Sequence, residues 1–299
     1  MGPPEGWVVP SSFVLGNSFV IRYSSFVIHP AMIRQPIHST TALFLGILSI
    51  ALLLGGYTWL AHRQKVENPD DTTIPTWAQM AKGVKAAIEV NPRSDDRWLV
   101  EDAKATGFRL FTGLGLGIIG AMLIGMLMGC FTPIEALLYP PMSLLAKVPP
   151  TAALAVFFVI VGTGTSMFIT MIAVGILPTL AMTVFLAVKE FPPELQYKAY
   201  TLGASSLEVI VSILLRYVLP KLIDAVRLSI GPAMVFLLAA EMLVGDVGFG
   251  YRIRLQSKLL NMSVVYPYLA LLAAFGFSMD YALALLRRKL CPWYEGRRN

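Results

Sequence analysis

Six stretches of about twenty residues are almost wholly apolar, and they constrain the fold more than anything else in this chain. A run of that length matches the hydrocarbon core of a bilayer, which takes about 20 residues of helix. In lipid a segment must satisfy its own backbone hydrogen bonds, so each run is predicted as a helix. The runs are 41–61, 108–130, 142–161, 167–188, 225–244 and 265–286. The third contains Lys147 and the Pro149–Pro150 pair, which predict a kinked or partly re-entrant path. The expectation is an all-α membrane protein with about six transmembrane helices.

Composition agrees. Charged residues make up 14% of the chain, against about 25% in soluble domains. The net charge of +6 points first to cytoplasmic loops, and not to nucleic acid. The two cysteines, Cys130 and Cys291, give neither metal-ligand spacing nor a disulfide framework. Histidine occurs only at His29, His38 and His62, so the hydrophobic body holds no histidine-based catalyst or metal ligand. No phosphate-binding loop of the G-x-x-x-x-G-K-[ST] type is present, so the chain is not expected to bind ATP itself. No catalytic residue, metal site or cofactor is expected.

The chain divides into five parts. Residues 1–40 form an irregular, proline-punctuated extension without the basic start and cleavage site of a signal peptide, and Met32 is an alternative start. Residues 41–61 are the first transmembrane helix. Residues 62–107 are predicted as an extracytoplasmic loop. Within it Thr76 and Gln79 form a capping box, and Trp77, Met80, Ala81, Val84 and Ile88 follow at helical spacing. That helix lies in the membrane interface or packs on the bundle. Residues 108–289 are the core, interrupted by a polar segment at 190–222, and 290–299 are a cytoplasmic tail. Six spans put both termini on one side. Arg22 and Arg34, then Lys198, Arg216 and Lys221, then Arg287, Arg288 and Lys289 share that side, which makes it the cytoplasmic one. Arg252, Arg254 and Lys258 on the other side run against the rule.

Gly113, Gly117, Ala121, Gly125 and Gly129 recur every fourth residue in the second run. On a helix they make one smooth stripe, which lets another backbone approach closely in lipid. Such a stripe serves static packing or mobile packing around a pathway.

The polar segment at 190–222 reads as two helices with a corner. Pro192-Pro193-Glu194 opens the first helix, since proline and an acid both suit a first turn. Gly203 ends it, because glycine adopts left-handed backbone freely. Ser205 and Glu208 are the capping box of the second helix. Its apolar face is predicted as Leu207, Ile210, Val211, Leu214, Leu215, Val218 and Leu219, and Pro220 as its break. The product is a rigid elbow at the membrane surface.

The run Ala199-x-Thr201-Leu202-Gly203-Ala204-Ser205, with Ile213 ten residues after the glycine and then Leu219-Pro220, resembles the EAA loop of binding-protein-dependent ABC importer permeases. The nitrate/sulfonate/taurine-type group is the nearest in look. Further resemblance lies in LLAKVPP at 144–150, Ala239-Ala240-Glu241-Met242, Gly248-x-Gly250-Tyr251 and the basic end from Arg287 to Leu290 followed by Pro292-Trp293, so that it covers roughly residues 70–294. It implies a type I ABC importer permease-like bundle in the inner membrane. It also implies two permease subunits around a translocation pathway, as a homodimer here, with a separate ATPase subunit and an extracytoplasmic substrate-binding protein. Tyr197, Lys198, Ala199, Thr201, Leu202, Gly203, Ala204 and Ser205 would then dock on the ATPase subunit. Tyr197-Lys198 stand where the family often has Glu-Ala, and Arg216 where proline is common, which puts the ionic contacts to that subunit in question. The implied solute is a small polar organic molecule or an oxyanion.

Charged residues at membrane depth are pathway candidates. Glu241, near the outer end of the fifth run, either lines the pathway or makes a buried structural hydrogen bond. Lys147 either lines the pathway or snorkels to the interface. Asp224 and Arg227 are three apart and predict an interfacial pair. The competing reading is a secondary transporter driven by an ion gradient, which predicts an internal inverted repeat that the sequence does not display.

Overall fold

The computed structural model describes residues 38–68, 72–89 and 97–295, so the expectations for the N-terminal extension, with Arg22 and Arg34, and for the tail beyond residue 295 fall outside the described residues. The chain divides into two units, Met1–Trp59 and Leu60–Asn299. The first contributes most of α1 (Ser39–Glu67), whose 29 residues are long and apolar enough to cross a bilayer.

The second unit holds α2 (Trp77–Ile88), α3 (Trp98–Cys130), α4 (Thr132–Leu145), α5 (Leu154–Val161), α6 (Thr165–Lys189), α7 (Pro193–Thr201), α8 (Ser206–Val244), α9 (Phe249–Lys258), α10 (Met262–Leu290) and α11 (Pro292–Glu295). No strand occurs among the described residues. Helix α2 starts where Thr76 and Gln79 predict, with the Thr76 amide donating to Gln79 Oε1 at 2.7 Å. It packs on α10, where Gly83 lies against the Ser263 backbone.

Helices α3 and α6 run parallel. Gly113 faces Ile172, Gly117 faces Ile176 and Gly129 faces Val188, one constant offset throughout. The chain between them must therefore travel back across the same thickness. It does so as α4 and α5, antiparallel to α6: Glu135 meets Lys189 at 2.6 Å, the Tyr139 ring lies on Phe185, and Pro150 abuts Gly175. The third apolar run, expected at 142–161, is thus the end of α4 and all of α5 with a break at 146–153; the return path begins earlier, at Thr132, and neither helix is long enough to cross a bilayer alone. Pro149 and Pro150 leave no amide hydrogen to continue the ladder there. The remaining crossings, α3, α6, α8 and α10, are single long helices.

Helix α8 returns antiparallel to α6, with Lys221 on Glu190 at 2.5 Å near one end and Phe236 beside Gly175 in the middle. Helix α10 runs antiparallel to α8. Two arginine–carboxylate ties join them, Arg287 to Asp224 and Arg227 to Asp280, and Arg227 also reaches Asp224 as the three-residue spacing predicts. The core sits between α3, α6 and α8, where Leu110, Met171, Leu180, Val184 and Val218 are fully buried. Lipid is as apolar as these side chains, so close packing, not water exclusion, holds them.

Helix α8 departs from expectation twice. Pro220 does not break it; the helix runs through to Val244. Buried Val218, Leu222 and Ile223 surround the proline and hold the backbone in line. The apolar face also differs: Leu207 and Val211 are exposed, whereas Val209, Leu214 and Val218 are buried. The cause is a π-helical turn at Val209–Leu214. Its i→i+5 bonding places buried residues five apart and turns the face away from a plain helical count.

Candidate functional site

Three features give this bundle chemical or mechanical character. They lie at one end, in the middle and at the other end.

The elbow occupies one end. Helix α7 closes through the bond pattern that a glycine C-cap requires: the Ala204 amide donates to Ala199 O at 3.1 Å and the Gly203 amide to Tyr200 O at 2.9 Å. Gly203 takes φ +88°, in the left-handed region that side chains resist. The next helix is sealed at once. Ser205 donates its amide to Glu208 Oε2 at 2.7 Å, and the Glu208 amide donates to Ser205 Oγ. The Glu208 carboxylate also accepts from the Ser205 hydroxyl at 2.8 Å. Thr201 turns its hydroxyl back onto Lys198 O. Ala199 is buried and anchors the elbow from beneath. Outward the elbow presents Tyr197, Leu202 and Leu207, of which Leu202 is 88% exposed. Lys198, Ala204 and Ser205 fill the positions between them on this short tip. A cleft of about 460 Å³ opens behind the tip, lined by Cys130, Phe131, Gln196, Tyr200, Ser206 and Ile210 among others.

The small-residue stripe lies along the contact of α3 with α6. A methyl group on Gly117 would lie 2.6 Å from Ile176, and one on Gly129 2.5 Å from Val188. Gly125 and Gly113 are as tight, and Ala121 is fully buried among them. The stripe therefore faces a neighbouring helix of the same chain.

A buried ionic clasp occupies the end opposite the elbow. Asp102, Thr106 and Arg109 project from one face of α3 at successive turns. Arg109 Nη1 donates to Glu241 Oε1 at 2.8 Å and to Val247 O at 2.8 Å. The Thr106 hydroxyl donates to Glu241, and the Gly250 amide donates to Glu241 Oε2 at 2.9 Å. Asp102 accepts from Arg252 Nε at 2.8 Å, from the Tyr268 hydroxyl at 3.0 Å and from the Gly248 amide at 2.9 Å. Each arginine also stacks on an aromatic ring, Arg109 on Phe168 and Arg252 on Trp98. The clasp ties α3, α8, α9 and α10 together. Both glycines of Gly248-x-Gly250 are needed, because a methyl group on Gly248 would strike the Glu241 carboxylate and one on Gly250 the Leu238 backbone.

Glu241 sits at the centre of this clasp. The residue has no exposed surface, and both carboxylate oxygens are committed to donors within the chain. Its buried hydrogen bonds run to α3 and α9. Lys147 is placed differently. It is exposed at the break between α4 and α5, with no ion-pair partner among the described residues. Of the residues that complete the clasp, Asp102 and Arg109 carry no sequence expectation, and Arg252 enters only as a charge against the positive-inside rule. Asp102 fell in the stretch read as a loop. The available signal was their spacing: Asp102, Thr106 and Arg109 lie on one helical face.

Residues 113–291 match the model of a family described as binding-protein-dependent transport system inner membrane component. The chain is 27% identical over 199 residues to the taurine transport system permease protein TauC of Escherichia coli K12, covering 67% of this chain and 72% of that protein. It is 30% identical over 195 residues to the putative aliphatic sulfonates transport permease protein SsuC of Bacillus subtilis 168, covering 64% and 68%. Among solved structures, an inward-facing MetNI methionine ABC transporter chain superposes with a TM-score of 0.57 at 22% identity, covering 64% of this chain and 96% of that one. The last likeness concerns the fold.

Proposed function

This chain belongs to the family of binding-protein-dependent transport system inner membrane components, and on that premise we propose how it works as the permease subunit of an ABC importer. Membership of a permease family, with relatives that are ABC transporter permeases, sets the ion-gradient-driven alternative aside. In this reading two copies of the chain enclose the solute path. A separate ATPase subunit docks on the elbow, and an extracytoplasmic binding protein delivers solute at the clasp end. Hydrolysis belongs to the partner. The elbow side and both termini face the cytoplasm. The C-terminal Cys291 and α11 lie at that same end of the bundle, next to the Arg287–Asp224 tie.

One observation carries the reading: the elbow holds Leu202, Tyr197 and Leu207 out into solvent at the bundle's end. An apolar tip of this kind is unfavourable alone and favourable in a partner's groove. Its frame is rigid, because a glycine corner and a capping box fix it from both sides. Force applied at the tip passes straight into α6 through Lys189 and into α8, which begins at Ser206. A rigid lever between a motor and two crossing helices is what alternating access requires. The taurine and aliphatic-sulfonate names of the two relatives favour a small sulfonate as solute.

The test is Leu202→Glu in the chain co-expressed with its ATPase and binding protein. The variant should insert in the membrane at normal level, yet lose most ATPase retention on purification. Full retention with normal solute-stimulated hydrolysis overturns the docking assignment.

A further inference from the structure

Lys147 stands at a depth where a lone ammonium is hard to place. Along α4 it lies about 18 Å from Glu135, whose pairing with Lys189 marks the elbow end. A second ruler agrees. Pro150 abuts Gly175, which lies about 21 Å from Lys189 and about 15 Å from Thr165 along α6. With a hydrocarbon core of about 30 Å, both rulers put Lys147 near the midplane. Its side chain reaches about 6 Å, too short to snorkel to either interface. It is exposed, and no carboxylate pairs with it among the described residues. A charge there needs water or a counter-charge from outside this chain.

The backbone around it is also unlike that of a lipid-facing helix. The break at 146–153 exposes irregular backbone at membrane depth, which is tolerated only where protein or water covers it. Phe236 touches the same point of Gly175 as Pro150 does, so α8 passes beside the break. One turn earlier α8 carries Gly231 and Pro232, both exposed, and Pro232 has no amide hydrogen for the Leu228 carbonyl. The broken crossing thus meets, at one depth, a stretch of α8 that stays helical while carrying a glycine and a proline.

We propose that Lys147 is the mid-membrane cation of the solute path, reached by water in the assembled transporter, and that it holds the negatively charged group of the passing solute. This rests on the permease reading above. It assigns to one side chain, in the bundle's broken crossing, the task of admitting anions and slowing cations.

The experiment needs no knowledge of the solute. In transporter whose Cys130 and Cys291 are replaced by alanine, Lys147→Cys is exposed in membranes to two membrane-impermeant methanethiosulfonates, the anionic sulfonatoethyl and the cationic trimethylammonioethyl reagent. Both should modify Lys147→Cys and neither should modify Val159→Cys, an 87% exposed position on α5. Ser143→Cys, one turn before Lys147, then reads the charge: the anionic-to-cationic rate ratio should fall about fivefold when Lys147→Gln is added and stay level with Lys147→Arg. A Lys147→Cys as inert as Val159→Cys overturns the water-lined path, and an unchanged ratio overturns the anion-holding role. ATPase retention is scored on the same preparations. Its loss across all variants counts against the docking reading and leaves the labelling result standing.

Discussion

Arg109 and Glu241 form an ion pair at 2.8 Å in which neither side chain has meaningful contact with solvent, at 5% and 0% exposure. They are 132 residues apart in sequence and join the start of the second crossing to the end of the fifth. Burying two charges is unfavourable unless every remaining donor and acceptor is matched. Here Thr106, the Gly250 amide and the Val247 carbonyl do that matching.

Removing one member leaves the other charged and stranded. Arg109→Leu or Glu241→Leu should each destabilise the fold by about 3–5 kcal/mol. The double variant should lose less than the sum, because no lone charge remains. Thermal unfolding of detergent-solubilised protein checks this. Additive losses would mean that the pair is not the unit that holds α3 to α8.

The stripe on α3 makes a graded steric prediction. Gly117→Leu and Gly129→Leu drive a side chain into Ile176 and Val188, and should each lower stability by about 1–3 kcal/mol or more. Gly115→Leu meets open space and should be tolerated. Expression level and detergent melting temperature of the three variants give the ranking. Equal tolerance of all three would show that α3 and α6 do not pack in this register.

The elbow and the stripe were legible in the sequence because their signals are local. Proline at a first turn, glycine at a corner and a serine–glutamate box each act within four residues. A four-residue period of small side chains needs only one helix to make sense. The clasp was not legible, because its acid and base partners come from opposite ends of the core and only the fold brings them together. Glu241 reads as a lone charge at membrane depth, and nothing local to the second run marks Arg109 as its partner. The π-helical turn was hidden for another reason. Val209–Leu214 is an ordinary apolar sequence, and the choice of i→i+5 bonding there is made by the packing of Val209, Leu214 and Val218 against the bundle. Pro220 misled because a local rule met a helix whose neighbours hold it straight.

Cys291 should be chemically silent. It has no exposed surface, and burial pushes its thiol up from the ordinary value, against the opposing pull of the Arg287 charge. A raised thiol pKa leaves less of the reactive thiolate at neutral pH. The native protein should therefore react slowly with iodoacetamide at Cys291 and quickly once unfolded in detergent. Mass spectrometry of the labelled peptide reads the difference. Fast native labelling would place the C-terminal end of α10 away from Asp224.

Gly203 sets the angle between α7 and α8, and its substitutions should separate folding from coupling. At φ +88° an alanine is strained by about 1–2 kcal/mol. Proline is worse on two counts: its ring fixes φ near −65°, and it removes the amide that donates to Tyr200 O. Asparagine tolerates left-handed backbone and should come closest to the native residue. The corner lies outside the α3–α6–α8 core, so all three variants should insert and purify at normal yield. Solute-stimulated ATP hydrolysis by the assembled complex should fall in the order Asn, Ala, Pro, with Pro close to the unstimulated rate. Native stimulation in Gly203→Pro would mean that the corner transmits no force. A collapse in yield for Gly203→Asn would mean that the corner belongs to the folding core and not to the lever.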